Sequence, residues 1–329
     1  MIATGVGSMP GEDFPEAQRI VLGELAQPGG LPHLVELPAR GAGASMIGRT
    51  LSLLPLDADL QPAGWRLTGS AGSPGLDHRR ARSLLAHDLD VLEELAQGYA
   101  GGFKTQLAGP WTLAATVERP RGDKLLADHG ARRELAQALA EAVGDHVAEL
   151  RRRLDGVDRL VVQIDEPALP AVLGAQVPTA SGFGKHRRID VPEASDLLER
   201  VLAAVVDAGA EPWVHSCAPD VPWGIVRRAG ARTLSVDLAL LSAADLDELG
   251  EALDAGAGVA LGVVPAVGPP PEASRIVERV ERWLDMLGLD PAEVGERLVL
   301  TPACGLAGST LSTARATLGR LRGSAASLT

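Results

Sequence analysis

Eight short β-type runs alternate with longer helical patterns from one end of this chain to the other, an arrangement that few folds can accommodate. The runs are Ile2–Gly7, His33–Leu37, Phe103–Leu107, Arg159–Ile164, Pro212–Ser216, Thr233–Val236, Gly258–Val263 and Arg297–Thr301. Between them lie segments with 3.6-residue periodicity, among them Asp77–Gln97, Ala131–Leu154, Pro192–Ala208, Ala243–Ala255 and Pro271–Leu287. Asp77, Ser242 and Pro271 stand where such helices start, and Gly98, Gly209 and Gly288 where they stop. Strands that alternate with helices run parallel, and eight of them close a ring. The pattern predicts an α/β protein, a (β/α)8 TIM barrel forming a single domain over residues 1–329.

Two stretches interrupt the rhythm after the second and fourth runs, Gly41–Gly75 and Gly174–Pro192, and connections this long serve more often as lids than as spacers. Within the first, LSLLPLDADLQPAGWRLTG predicts a small hairpin turning at Pro62–Gly64.

Composition removes several classes of function. A net charge of −12, with dense basic groups only at Arg151–Arg153 and Lys185–Arg188, gives no footprint for nucleic acid. No apolar stretch is long enough to cross a bilayer, and the opening MIATGVGSMP lacks the pattern of a signal peptide, so the expected location is cytoplasmic. Two cysteines in 329 residues make no disulfide framework, and a reducing compartment would disfavour even one bridge.

Active sites of such barrels lie at the carboxyl ends of the strands. Here those ends carry Ser8, Glu36, Gly109, Asp165 with Glu166, His215 with Cys217, Asp237, Pro265 and Cys304. A His-x-Cys pair leaving one strand, a carboxylate ending the next and a second cysteine two strands further round converge across the mouth as a zinc set. Composition alone leaves open that both cysteines are small buried groups and His215 a core histidine; their common place at strand ends favours metal.

The segments VVQIDEPALP (Val161–Pro170), VHSC (Val214–Cys217) and TPACGLAG (Thr301–Gly308) resemble the catalytic motifs of cobalamin-independent methionine synthase. GVGSMP (Gly5–Pro10) and KTQLAGPWTL (Lys104–Leu113) are similar to that family's Gly-Ser-Phe-Pro and Leu-x-Gly-Pro segments. The resemblance implies a methyltransferase whose zinc binds the thiol of homocysteine. It carries the zinc ligands onto His215, Cys217 and Cys304, with Asp237 where the family has a ligating glutamate. It carries the contact to the substrate amine onto Asp165, a second acidic contact onto Glu36, and the serine near the substrate carboxylate onto Ser8. Glu166 is expected to join the substrate contacts, to buffer Asp165, or to bond a neighbouring backbone. Metal binding converts a thiol that is only about 3% thiolate at neutral pH wholly to the nucleophile, a gain of roughly 30-fold or about 2 kcal/mol. Typical accelerations exceed about 8 kcal/mol, so positioning and donor activation supply the larger part.

Donor activation is where the chain departs from the family. Relatives that use methyl-folate carry an Asp-x-His-Ser stretch after the seventh strand, where this chain reads VVPAVGP (Val263–Pro269), with Pro265 and Val267 in place of the acid and the histidine. A methyl carried on corrinoid cobalt needs no such proton donor. The chain is also about half the length of the two-barrel synthases and resembles the short archaeal-type forms. Methyl-folate and a corrinoid protein therefore both stand as donors. Trp111 and Trp65 are candidates to stack on a flat cofactor ring, and Lys185, His186, Arg187 and Arg188 to clamp an anionic donor tail. Other readings are transfer to a different thiol, a catalytically silent barrel that binds metal or metabolite, and a uroporphyrinogen-decarboxylase-like barrel.

Overall fold

The computed structural model describes residues 1–69, 72 and 74–328. Its strands are β1 (Ile2–Ala3), β2 (Ala58–Gln61), β3 (Gly64–Leu67), β4 (Gly101–Ala108), β5 (Val157–Asp165), β6 (Glu211–Ser216), β7 (Thr233–Asp237), β8 (Gly258–Val264) and β9 (Leu298–Pro302). Seven of them form one parallel sheet in the order β1-β9-β8-β7-β6-β5-β4, curled with helices outside. The predicted α/β barrel architecture is what the chain adopts. The hairpin predicted in the first long connection is β2–β3, with Gln61 facing Gly64 across the Pro62–Ala63 turn. That connection also holds a helix, Met46–Leu53, which its Gly and Pro content hid.

The predicted second strand, His33–Leu37, is not a regular strand. Residues 30–36 span the gap between β1 and β4 through isolated parallel bridges, Ala3 with Gly30, Ser8 with Glu36, and His33 with Lys104. The cause is a side chain in place of a neighbour's backbone. Gln18, on the helix Phe14–Leu25, donates from Nε2 to the His33 carbonyl and accepts from the Val35 N–H, both at 3.0 Å. Pro32, which has no N–H, removes another rung. The ring therefore closes with a seam at this eighth position.

Inside the ring, Leu31, Val161, Trp213, Ala260 and Val299 form a small apolar cluster with Ile2 against it, contributed from around the whole circle. Strand side chains repeat with period two, so the next inward positions toward the carboxyl ends are His33, Gln163, His215 and Thr301. All four are buried, as is Lys104. An apolar floor thus carries a polar layer, and the candidate site stands on that layer.

Outside the ring, the helix His129–Arg153 packs His146 against the outward face of β4, with Nε2 3.1 Å from Thr105 Oγ1. Burial, aided by the nearby Arg49 charge, pushes its pKa from 6.5 down to about 3. The folded value lies below the unfolded one, so the stability this histidine contributes is complete above pH 6.5 and is lost as pH falls toward 3. Replacing His146 with Gln is expected to flatten that loss. Urea midpoints between pH 7 and 5 should show wild type losing up to about 1.4 kcal/mol per pH unit relative to the variant. Parallel pH curves would refute this.

Candidate active site

β5 and β6 run in a register that sets Asp165 directly beside His215, and β6 and β7 set His215 beside Ser235. His215 Nδ1 lies 3.0 Å from Ser235 Oγ, which fixes the ring. Its Nε2 is buried and has no hydrogen-bond partner among the described residues. Burial, with the Lys104 charge second, pushes the His215 pKa down to about 3, so the ring is a neutral imidazole at ordinary pH. That is the state in which a histidine nitrogen binds a metal.

Cys217 follows β6, and Cys304 stands in the turn after β9, where Ala303 N donates to the Val264 carbonyl at 2.8 Å. The ring closure brings these cysteines, 87 residues apart in sequence, side by side, with Cα atoms 5.9 Å apart and their sulfurs facing one another. The ligand atoms of His215, Cys217 and Cys304 all lie within 4.8 Å of one another. Asp237 stands outside that group. It ends β7 with its Oδ1 accepting from Ala239 N at 2.9 Å, capping the turn Leu238–Leu240.

Beside the sulfurs, the turn that carries Cys304 lies on the segment that carries Ser8. Leu306 N donates to the Ser8 carbonyl at 2.8 Å, and any Cβ at Gly305 would collide with Ser8 Oγ. A side chain after Cys304 would therefore force the Ser8 hydroxyl out of its present position. Glu36, bridged to Ser8, is buried, and burial raises its pKa against the opposing charges of Arg49 and Lys104.

Asp165 is likewise buried, and burial raises its pKa, opposed by a hydrogen bond from Gln163 and by the Lys104 charge. Burial in turn lowers the pKa of Lys104, with the charges of Asp165 and Glu36 opposing. The inner face thus holds two acids and one lysine in a nearly dry space, a setting that a bound ammonium group would balance.

Asp165 and Glu166 part company at the strand end, because successive strand side chains face opposite sides. Glu166 turns outward and is fully buried. It accepts from Trp111 N and Thr112 N at 2.8 Å each and from Thr112 Oγ1 at 2.7 Å, at the start of the helix Pro110–Thr116. Burial pushes its pKa up to about 7, with those hydrogen bonds opposing. Of the roles expected for Glu166, bonding a neighbouring backbone is the one the geometry displays; both oxygens are occupied there rather than turned to a substrate.

Trp111 is corrected in the same way. It is fully buried and donates from Nε1 to the Ala194 carbonyl at 3.0 Å, so no face of the ring is open for stacking on a cofactor. Trp65 is buried in the hairpin, edge-on to His78. In the basic run, Lys185 bonds Gln176 and His186 Nε2 approaches Asp123 Oδ1 at 3.1 Å, while Arg187 and Arg188 are exposed. After β8, Val267 is 65% exposed, and Val263–Pro269 supplies no titratable side chain. A cavity of about 620 Å³ between the hairpin and the helices Leu76–Leu95 and His129–Arg153 includes none of the site residues.

Among the inner-face residues given no role from sequence are Lys104 and Gln163. The pattern that marks them is polar alternation within strands, Lys104 with Gln106 in FKTQL and Gln163 with Asp165 in VVQID. In a closed barrel this places polar groups inside the ring.

A sequence model described as "Cobalamin-independent synthase, Catalytic domain" matches residues 99–327. No curated protein matches the chain. Among solved structures, a B12-independent methionine synthase from Shewanella sp. W3-18-1, in complex with selenomethionine, superposes with a TM-score of 0.62. It is 15% identical over 98% of this chain and 96% of its own. GH5_18 from Streptomyces cattleya, in complex with GlcNAc, gives a TM-score of 0.50 at 14% identity over 99% of this chain and 80% of its own. Those two likenesses speak to the fold, whereas the sequence match takes in β4 to β9 and with them Asp165, His215, Cys217, Asp237 and Cys304. The chain belongs to the cobalamin-independent synthase family, through its catalytic domain, and so to a family of methyltransferases.

Proposed function

We propose that this chain transfers a methyl group to the thiol of homocysteine, giving methionine, with zinc held by His215, Cys217 and Cys304 in their reduced state. The observation that carries the reading is the orphaned His215 Nε2, buried beside two sulfurs with all three ligand atoms within 4.8 Å. A buried polar atom without a partner is costly, and a metal shared with two thiolates relieves that cost. Cysteine sulfurs bind metal as thiolates, so the reading needs a reducing, cytoplasmic setting. Zinc bound there would supply a Lewis acid that keeps the substrate sulfur as thiolate.

The remaining roles fall to the chain. His215 is held in one orientation by Ser235. Asp165 and Glu36 receive the substrate amine, and Ser8, seated by the Cys304 turn, lies toward its carboxylate. Three protein ligands leave a position for the substrate thiol. Asp237 would have to give up its bond to Ala239 N to become a fourth. The donor is methyl-folate or a methyl-corrinoid protein. The absence of a titratable group in Val263–Pro269 favours the corrinoid, whose cobalt departs without a proton.

The test is zinc analysis of protein purified under reducing conditions without chelator, followed by single-turnover assays offering methyl-folate and methylcobalamin in parallel. About one zinc per chain and methionine from at least one donor are expected. Metal at background and no methionine from either donor would end the proposal.

A further inference from the structure

Beneath Asp165 lies a lysine to which the proposed chemistry gives no task. Lys104 is fully buried inside the ring, and its Nζ donates to the Val6 carbonyl at 2.8 Å and to Gln163 Oε1 at 2.9 Å. Gln163 in turn donates from Nε2 to the same carbonyl at 2.9 Å and to Asp165 Oδ1 at 2.7 Å. A buried ammonium usually ends on a carboxylate, whereas this one reaches its carboxylate through an amide.

The relay has a direction set by chemistry. An ammonium can only donate, so the amide oxygen of Gln163 must face Lys104. The amide NH2 is then forced toward Val6 and Asp165. An N–H facing Asp165 Oδ1 holds that oxygen as an acceptor and fixes the rotation of the carboxyl group. Asp165 keeps 7% of its surface open, enough to meet a ligand but too little for free hydration. Without the lysine, the amide keeps its bonds to the Val6 carbonyl and Asp165 but loses the one that holds its oxygen, so Asp165 is less firmly oriented. A carboxyl group free to rotate meets an ammonium less well than one held in place.

We infer that Lys104, acting through Gln163, is a positioning residue that makes this site select thiols carrying an α-ammonium group. The inference rests on the reading that Asp165 faces the substrate amine, and it identifies what enforces that preference.

The experiment compares binding of homocysteine with that of 4-mercaptobutanoate, the same thiol without its amine, to the zinc-loaded protein by calorimetry. Wild type should prefer homocysteine. Lys104→Met, which keeps length without charge, is expected to lower the preference at least roughly tenfold, the scale of a hydrogen bond to a charged group. Gln163→Met, which keeps the lysine and cuts the relay, should do the same. A loosened fold would weaken both thiols together and leave their ratio unmoved. If wild type shows no preference, the reading of Asp165 fails and takes this inference with it. If wild type discriminates but both variants keep its ratio, only the inference about Lys104 is overturned. Should Lys104→Met not fold, the ratio in Gln163→Met decides.

Discussion

Cys304→Ser is expected to lose its zinc and to slow methyl transfer by roughly a thousandfold or more, about 4 kcal/mol of barrier. A serine hydroxyl is not deprotonated by zinc as a thiol is, so the variant retains one imidazole and one thiolate, too few to hold the ion. Cys304 lies in a turn at partial exposure, outside the packed core, so the fold should survive the exchange. Zinc content, thermal midpoint and kcat/KM measured on one preparation separate the two effects. A variant that keeps near-wild-type kcat/KM with no bound metal would show that His215, Cys217 and Cys304 do not serve catalysis through an ion.

The second large effect is on stability. Glu166 meets two backbone N–H groups and a hydroxyl at a site with no water access, and Gly109 leaves the gap into which its carboxylate fits. Glu166→Ala would leave Trp111 N, Thr112 N and Thr112 Oγ1 without their acceptor. Each buried donor left unmade costs about 1–3 kcal/mol, so the three together cost at least about 4 kcal/mol. For a chain of 329 residues that lowers the thermal midpoint by roughly 6 °C. Glu166→Gln keeps one acceptor but turns an NH2 toward another donor, and should fall between. A thermal midpoint unchanged in Glu166→Ala would show that the three donors find other partners.

The divergence of Glu166 from Asp165 also marks the limit of what the sequence discloses. The barrel was legible because period-two and period-3.6 patterns are local, and so was the meeting of His215, Cys217 and Cys304, since barrel topology sends every strand end to one rim. Which way a side chain turns at that rim was not legible. Asp165 and Glu166 are adjacent carboxylates in one motif, yet one faces the ring's interior and the other anchors a helix. Trp111 followed the same rule, being drawn into packing by the Ala194 carbonyl more than 80 positions on. The irregular eighth position was hidden for a related reason. HLVEL reads as a strand, and only the reach of Gln18 into its backbone shows why it is bridged rather than laddered. Asp237 reads as a ligand by position, and its bond to Ala239 N depends on the geometry of the turn that follows.

That bridged position gives the ring a place where it can breathe. A cylinder closed by full ladders resists opening equally around its circumference, whereas this one is fastened between β1 and β4 by scattered bonds and one glutamine. Ser8 and Glu36 face one another where the irregular segment meets the chain that follows β1, joined there by two backbone hydrogen bonds. An amino acid gripped by both would add a clasp on that side, so that filling the pocket would also tighten the cylinder.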